Sequence, residues 1–192
     1  VEAGLGVIFT IVPCRPGVLK RGGRGVTAQQ ARAVPRAVVG LPIRFGTTRS
    51  VNMQSAGAAT FDEAYYRRYY FDKKTKVVDP QHVERLGAFV CAYLRYLRVP
   101  VRRVLDVGCG IGLWRDIVAR QFPLASYHGV EFSEYLCGRY GWERGSVVDY
   151  QAGKPFDFVI CQGVLPYLSP PDLKRALRNF SLLSQGACMW RP

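Results

Sequence analysis

The sequence has only two histidines, His82 and His128, and its six cysteines (14, 91, 109, 137, 161 and 188) include no Cys-x-x-Cys pair. No Cys/His cluster stands at zinc-ligand spacing, so no metal site is expected. Cys91 and Cys137 lie in apolar surroundings, as buried free thiols do, which fits a reducing cytoplasm. Long apolar runs are missing too. Leu5 to Val12 falls far short of the roughly 20 residues that span a membrane, and no basic region leads it, which argues against a secretory signal. No internal repeat is visible.

The first 52 residues lack Tyr and Trp, and Phe9 and Phe45 are their only aromatics, whereas 22 aromatic residues follow. The net charge of +13 is also uneven: residues 1–52 hold eight Lys/Arg and one acid. Such a segment packs poorly alone, so the domain is expected to begin near Met53, with 1–52 a disordered or non-native basic extension. Its centre, Arg21-Gly-Gly-Arg24-Gly, leaves open a nucleic-acid arm. The length of 192 residues suits one α/β domain, with enough apolar content to bury a core.

Within that domain, apolar strands alternate with helical periods. Phe61 to Phe71 carries Tyr65, Tyr66, Tyr69 and Tyr70 at helical spacing, either as packing on a sheet or as a lid over a pocket. Asp79-Pro80 starts a helix that runs to Val99-Pro100. Strands are expected at Arg103–Val107, Ser126–Glu131, Gly145–Asp149 and Phe156–Cys161, and helices at about Leu113–Gln121, Ser133–Tyr140 and from Ser169. Gln185-Gly-Ala reads as the start of a fifth strand. The fold class is therefore α/β, a doubly wound parallel sheet with its ligand at the carboxyl ends of the strands.

The densest signal is Val104-Leu-Asp106-Val-Gly108-Cys-Gly110-Ile-Gly112. A short buried strand runs into a turn that needs glycines, and a helix follows. A dinucleotide fingerprint requires G-x-G-x-x-G, but Leu113 stands where its last glycine should be. An acid followed by G-x-G-x-G resembles motif I of class I S-adenosylmethionine-dependent methyltransferases. Asp157-Phe-Val-Ile-Cys161-Gln162-Gly163-Val-Leu-Pro-Tyr167-Leu resembles motif IV of the same family, with Tyr167 in place of a His. Phe61-Asp-Glu-Ala-Tyr-Tyr and Ser133-Glu-Tyr-Leu-Cys-Gly-Arg-Tyr-Gly-Trp142 are similar to an uncharacterised bacterial group within it.

The resemblance implies a Rossmann-like sheet and S-adenosylmethionine as cofactor, with Asp106, Gly108, Gly110, Gly112, Glu131, Phe132, Asp149 and Gln162 around it. Glu131 would take both ribose hydroxyls, Phe132 would lie against adenine, Asp149 would meet the adenine amino group, and Gln162 would border the methionine part. Asp157 is read as structural and His128 as a satisfied core or edge histidine. Tyr66, Tyr69 and Tyr167 either line the acceptor pocket or simply pack. No catalytic residue is named.

The family sheet has seven strands. This chain is expected to hold four and the start of a fifth, with Cys188–Pro192 off pattern and a bare sheet edge. The expected function is methyl transfer to a small-molecule acceptor. The alternatives are a non-catalytic cofactor-binding remnant and a basic RNA-binding protein using residues 1–52. Nucleic-acid methylation is not favoured: the Asn/Asp-Pro-Pro-aromatic motif is absent, and Ile160-Cys161-Gln162 lacks the Pro of the cytosine-C5 enzymes. The acceptor and the oligomeric state are not legible.

Overall fold

The computed structural model describes residues 60–191 and the backbone of residues 8–11. The elements in chain order are β1 (Ile8–Ile11), α1 (Glu63–Tyr66), a π-helical turn (Arg67–Phe71), α2 (Pro80–Tyr96), β2 (Arg103–Val107) and α3 (Leu113–Gln121). Then come β3 (Ser126–Glu131), α4 (Glu134–Tyr140), β4 (Glu143–Arg144), β5 (Phe156–Gln162), a 3₁₀ turn (Leu165–Tyr167), α5 (Pro170–Leu183) and β6 (Ser184–Arg191). The sheet order is β1-β6-β5-β2-β3-β4, with β2 to β6 parallel and β1 antiparallel to β6.

The helices start where side chains can satisfy their free N–H groups. Asp79 caps α2 and Ser169 caps α5, each followed by Pro, and Ser133 caps α4. Strand alternation then divides the core. Val104, Phe158, Ile160, Ala187 and Met189 face α2 and α3, burying Val90, Leu94, Trp114 and Ile117. Leu105, Val107, Val159, Cys161 and Cys188 face the other way, against Ala176, Phe180 and Leu183 of α5. With both faces covered, β2 and β5 carry apolar residues at consecutive positions, Val104-Leu105 and Phe158 to Cys161. Asp157 is structural, as expected: its Oδ2 accepts the N–H groups of Arg102 and Arg103 at 2.9 and 2.8 Å, and its Oδ1 accepts from Gln185 Nε2 at 2.8 Å.

Three expectations change. The strand expected at Gly145–Asp149 is only Glu143–Arg144; the residues after it turn. Tyr150 N–H returns to Ser146 O at 2.8 Å, and Asn179 Nδ2 of α5 donates to the carbonyls of Val147 and Tyr150 at 3.0 and 2.9 Å. Those bonds consume the groups a longer strand ladder would need.

The second change is β6, which is a full eight-residue strand, because Ala187, Cys188 and Met189 supply the alternating apolar contacts that bury it. The third is the sheet edge, expected bare, which β1 covers by pairing Ile8–Ile11 with Ala187–Trp190. Those four residues of the basic extension thus join the sheet. Arg21–Arg24 and the boundary near Met53 lie outside the described residues.

The order reverses at β2: β3 lies on one side and β5 on the other. Loops leaving those strands diverge there, which opens a crevice at their carboxyl ends.

Candidate functional site

The turn after β2 takes positive φ at all three glycines, 73° at Gly108, 56° at Gly110 and 81° at Gly112. They differ in what a side chain would meet. A Cβ on Gly108 would lie 2.2 Å from Val164 Cγ2, and one on Gly112 would lie 2.8 Å from the Trp142 ring. A Cβ on Gly110 would meet no atom within 4 Å. Gly110 thus faces a cradle, while Gly108 and Gly112 are glycines for packing as well as for backbone angle.

The turn is held from β3. The N–H groups of Gly108 and Cys109 both point at Val130 O, at 2.7 and 3.2 Å. Glu131 Oε2 accepts the Gly110 N–H at 2.8 Å, and its Oε1 accepts those of Phe132 at 2.8 Å and Ser133 at 3.0 Å. Trp142 Nε1 closes the other side by donating to Gly110 O at 3.0 Å. Three consecutive amides that could cradle a pyrophosphate are therefore engaged within the protein. A carboxylate offers about four acceptor directions. With three in use, one on Oε2 remains, rather than the two expected for a pair of ribose hydroxyls.

Asp106 lies beneath the turn, 1% exposed, and accepts from Tyr127 OH at 2.6 Å. Burial pushes its carboxyl up to about 7, opposed by the Tyr127 bond and aided by the Glu131 charge. Gln162 at the end of β5 is oriented by Trp114, whose Nε1 donates to its Oε1 at 2.7 Å. That leaves the Gln162 Nε2 hydrogens to face the crevice.

A cavity of about 240 Å³ sits on this floor, bordered by Gly108, Gly110, Glu131, Phe132 and Gln162, with Ser146 to Val148 as one wall. Phe61, Tyr65, Tyr66, Tyr70 and Tyr167 form the opposite wall. Sequence reading left this segment between packing and a lid and did not single out Phe61, Tyr65 or Tyr70 as lining; Tyr70 stands on the π turn, whereas Phe61 and Tyr65 precede it. Ser133 Oγ donates to Phe61 O at 2.5 Å, and the hydroxyls of Tyr65 and Tyr167 meet at 3.1 Å. The aromatic segment is thereby pinned over the crevice. Burial, first among several causes, raises the phenols of Tyr65, Tyr66 and Tyr70, so they stay protonated and serve as donors, not bases.

Two further spaces adjoin it, of about 120 and 510 Å³. Tyr70, Gln162 and Gly163 border all three. Asp106 reaches the smaller one, and Arg191 the larger.

Of the eight expected site residues, Gly108, Gly110, Glu131, Phe132 and Gln162 line the first cavity and Asp106 its neighbour. Gly112 faces Trp142, and Asp149 sits exposed on the turn outside the lining. The turn that replaces the expected strand turns Asp149 away and presents Ser146, Val147 and Val148 instead. Tyr66 and Tyr167 line the cavity; Tyr69 does not. His128 is satisfied at the sheet edge by Glu143 Oε2 at 2.6 Å and Tyr150 OH at 2.9 Å. Cys161 is fully buried in the core beside Cys188, and burial raises its thiol far above the usual range. It offers no nucleophile to a base. Among the described residues no three His, Cys, Asp or Glu side chains are grouped to hold a metal, and no helix is long and apolar enough to cross a membrane.

Residues 105–189 match the family model of a methyltransferase domain. Trans-aconitate 2-methyltransferase of Pseudomonas aeruginosa strain UCBPP-PA14 is 30% identical over 94 residues, which is 45% of this chain and 34% of that protein. The match to the Pseudomonas paraeruginosa enzyme of the same name is 29% identical over the same shares. The chain thus spans about a third of the length of these relatives. Among solved structures, an S-adenosylmethionine-dependent methyltransferase from Clostridium acetobutylicum is 15% identical, with a TM-score of 0.47 over 69% of this chain and 56% of that one. An amino pentose methyltransferase from Micromonospora echinaspora, solved with S-adenosylmethionine, is 24% identical, with a TM-score of 0.46 over 53% and 46%. The methyltransferase-domain match thus runs from the strand that ends in the glycine turn to the strand beyond α5.

Proposed function

We propose that the chain binds S-adenosylmethionine in the cavity above the glycine turn and transfers its methyl group to a small-molecule acceptor in the adjoining space. The observation that carries this is the pairing of Glu131 with Gly110: a buried carboxylate locks the turn, and the one glycine left open faces the cavity. The residues fit that cofactor and not a dinucleotide, because the turn's amides are already engaged and, among the described residues, no charged donor lines the floor for a pyrophosphate.

When bound, the cofactor supplies a methyl group already activated by its sulfonium. The protein's work is then positioning and exclusion of water. Glu131 Oε2 keeps one acceptor direction for a ribose hydroxyl. Phe132 and the Ser146–Val148 wall give the adenine end an apolar slot. Gly110 admits the amino-acid end, and Gln162 Nε2 donates toward it. The Phe61–Tyr70 segment closes the crevice, with the Tyr65–Tyr167 contact as its latch. The similarity to trans-aconitate 2-methyltransferases supports a small acceptor.

Calorimetry with S-adenosylhomocysteine tests the reading. Micromolar binding, with no binding of nicotinamide dinucleotides, is expected. Clear dinucleotide binding, or no binding of S-adenosylhomocysteine by a chain that melts cooperatively, would overturn it.

A further inference from the structure

Arg191 ends β6 with a side chain only 6% exposed, and its Nε is sealed from solvent without a hydrogen-bond partner among the described residues. Its main chain is fixed: Arg191 pairs with Gln162 in the ladder, and its carbonyl accepts the Gly163 N–H at 2.9 Å. Alternation along β6 puts Arg191 on the same face as Ala187 and Met189, the side covered by α2. There it forms part of the wall of the 510 Å³ space, with Tyr70, Tyr167, His82 and Gln162.

A buried guanidinium without a counter-charge is costly, and it stays protonated even though burial lowers its pKa. The one carboxylate among the described residues that borders this space does not neutralise it. Asp79 Oδ1 caps α2 by accepting the Gln81 N–H at 3.0 Å, and its Oδ2 stands 3.9 Å from Arg85. The space therefore holds a cation that no described residue pairs, beside two phenols and the Gln162 amide that it shares with the cofactor cavity.

We infer that the methyl acceptor bears a carboxylate and that Arg191 binds it, with the larger space as the acceptor pocket. This rests on the reading of the neighbouring cavity as the cofactor site. A guanidinium pairs a carboxylate through two parallel N–H···O bonds, which sets orientation as well as affinity. That contact would lie across Gln162 from the glycine turn, with the rest of the acceptor directed toward the cofactor cavity.

The test uses the full chain with succinate as probe and succinamide as its uncharged match, each with and without saturating S-adenosylhomocysteine. Succinate is expected to bind in the millimolar range and succinamide not at all. Arg191→Met should weaken succinate at least tenfold and leave S-adenosylhomocysteine binding within twofold. It should not lower the melting temperature, since it removes an unpaired buried charge. Arg191→Lys should recover part of the loss. Equal binding of succinamide, unchanged succinate binding in Arg191→Met, or a marked loss of thermal stability in that variant would overturn the inference. If the wild-type chain binds succinate through Arg191 but never S-adenosylhomocysteine, the anion site stands and the cofactor reading falls.

Discussion

Glu131 Oε2 accepts the Gly110 N–H at 2.8 Å, so the end of β3 holds the turn that leaves β2. The same side chain caps the start of the β3–α4 connection through Phe132 and Ser133. One carboxylate thereby fixes the two loops that flank the cavity floor. Glu131→Ala should weaken S-adenosylhomocysteine binding by about 1.5–3 kcal/mol, the scale of charged hydrogen bonds lost. Glu131→Gln should recover only part, because its amide nitrogen cannot accept. Calorimetry on both variants checks this, and an alanine variant with wild-type affinity would contradict the role.

The glycines separate binding from folding. Gly110→Val adds atoms to open space, at a strained φ of 56°. It should abolish cofactor binding while far-UV circular dichroism stays native and stability drops by about 1–2 kcal/mol. Gly108→Ala drives a methyl into Val164, 2.2 Å away, and should lower the melting temperature more than Gly110→Val does. The reverse order of melting temperatures would refute this assignment.

Asp106 should make stability fall with rising pH. Its folded carboxyl titrates at about 7, above the roughly 3.9 of an unfolded Asp, so between those values the native state holds the extra proton. Stability then decreases as pH rises through that window, by on the order of 2–4 kcal/mol at most. Asp106→Asn removes this slope and can still accept from Tyr127. Denaturant melts at pH 5 and pH 8 should show the variant gaining on the wild type at the higher pH. A constant difference would show that Asp106 is charged throughout.

Cys161 has no role in transfer by this geometry. It is 0% exposed, and its thiolate is disfavoured by burial. Cys161→Ser should leave S-adenosylhomocysteine affinity within twofold and any methyl transfer within a few-fold. Selective loss of transfer would restore a covalent mechanism of the cytosine-C5 kind.

The alternation of apolar runs and helical periods was enough to name most elements, because burial on both faces of a parallel sheet leaves a pattern in every strand. The glycine turn was legible because positive φ demands glycine, and Glu131 because the resemblance places an acid at the end of the next strand. What depended on distant partners was not legible. Gly145–Asp149 has the apolar content of a strand, yet Asn179 of α5 binds the carbonyls of Val147 and Tyr150 and the segment turns, so that Ser146–Val148 and not Asp149 line the cavity. The π turn presents Tyr70, and not Tyr69, to the cavity. The placement of Arg191 against Gln162 followed only from the β5–β6 register, and its lack of a counter-charge among the described residues from Asp79 being already engaged in capping α2. Local sequence carries backbone preference and burial period; which polar groups meet, and which are left over, is set by packing between elements far apart in the chain.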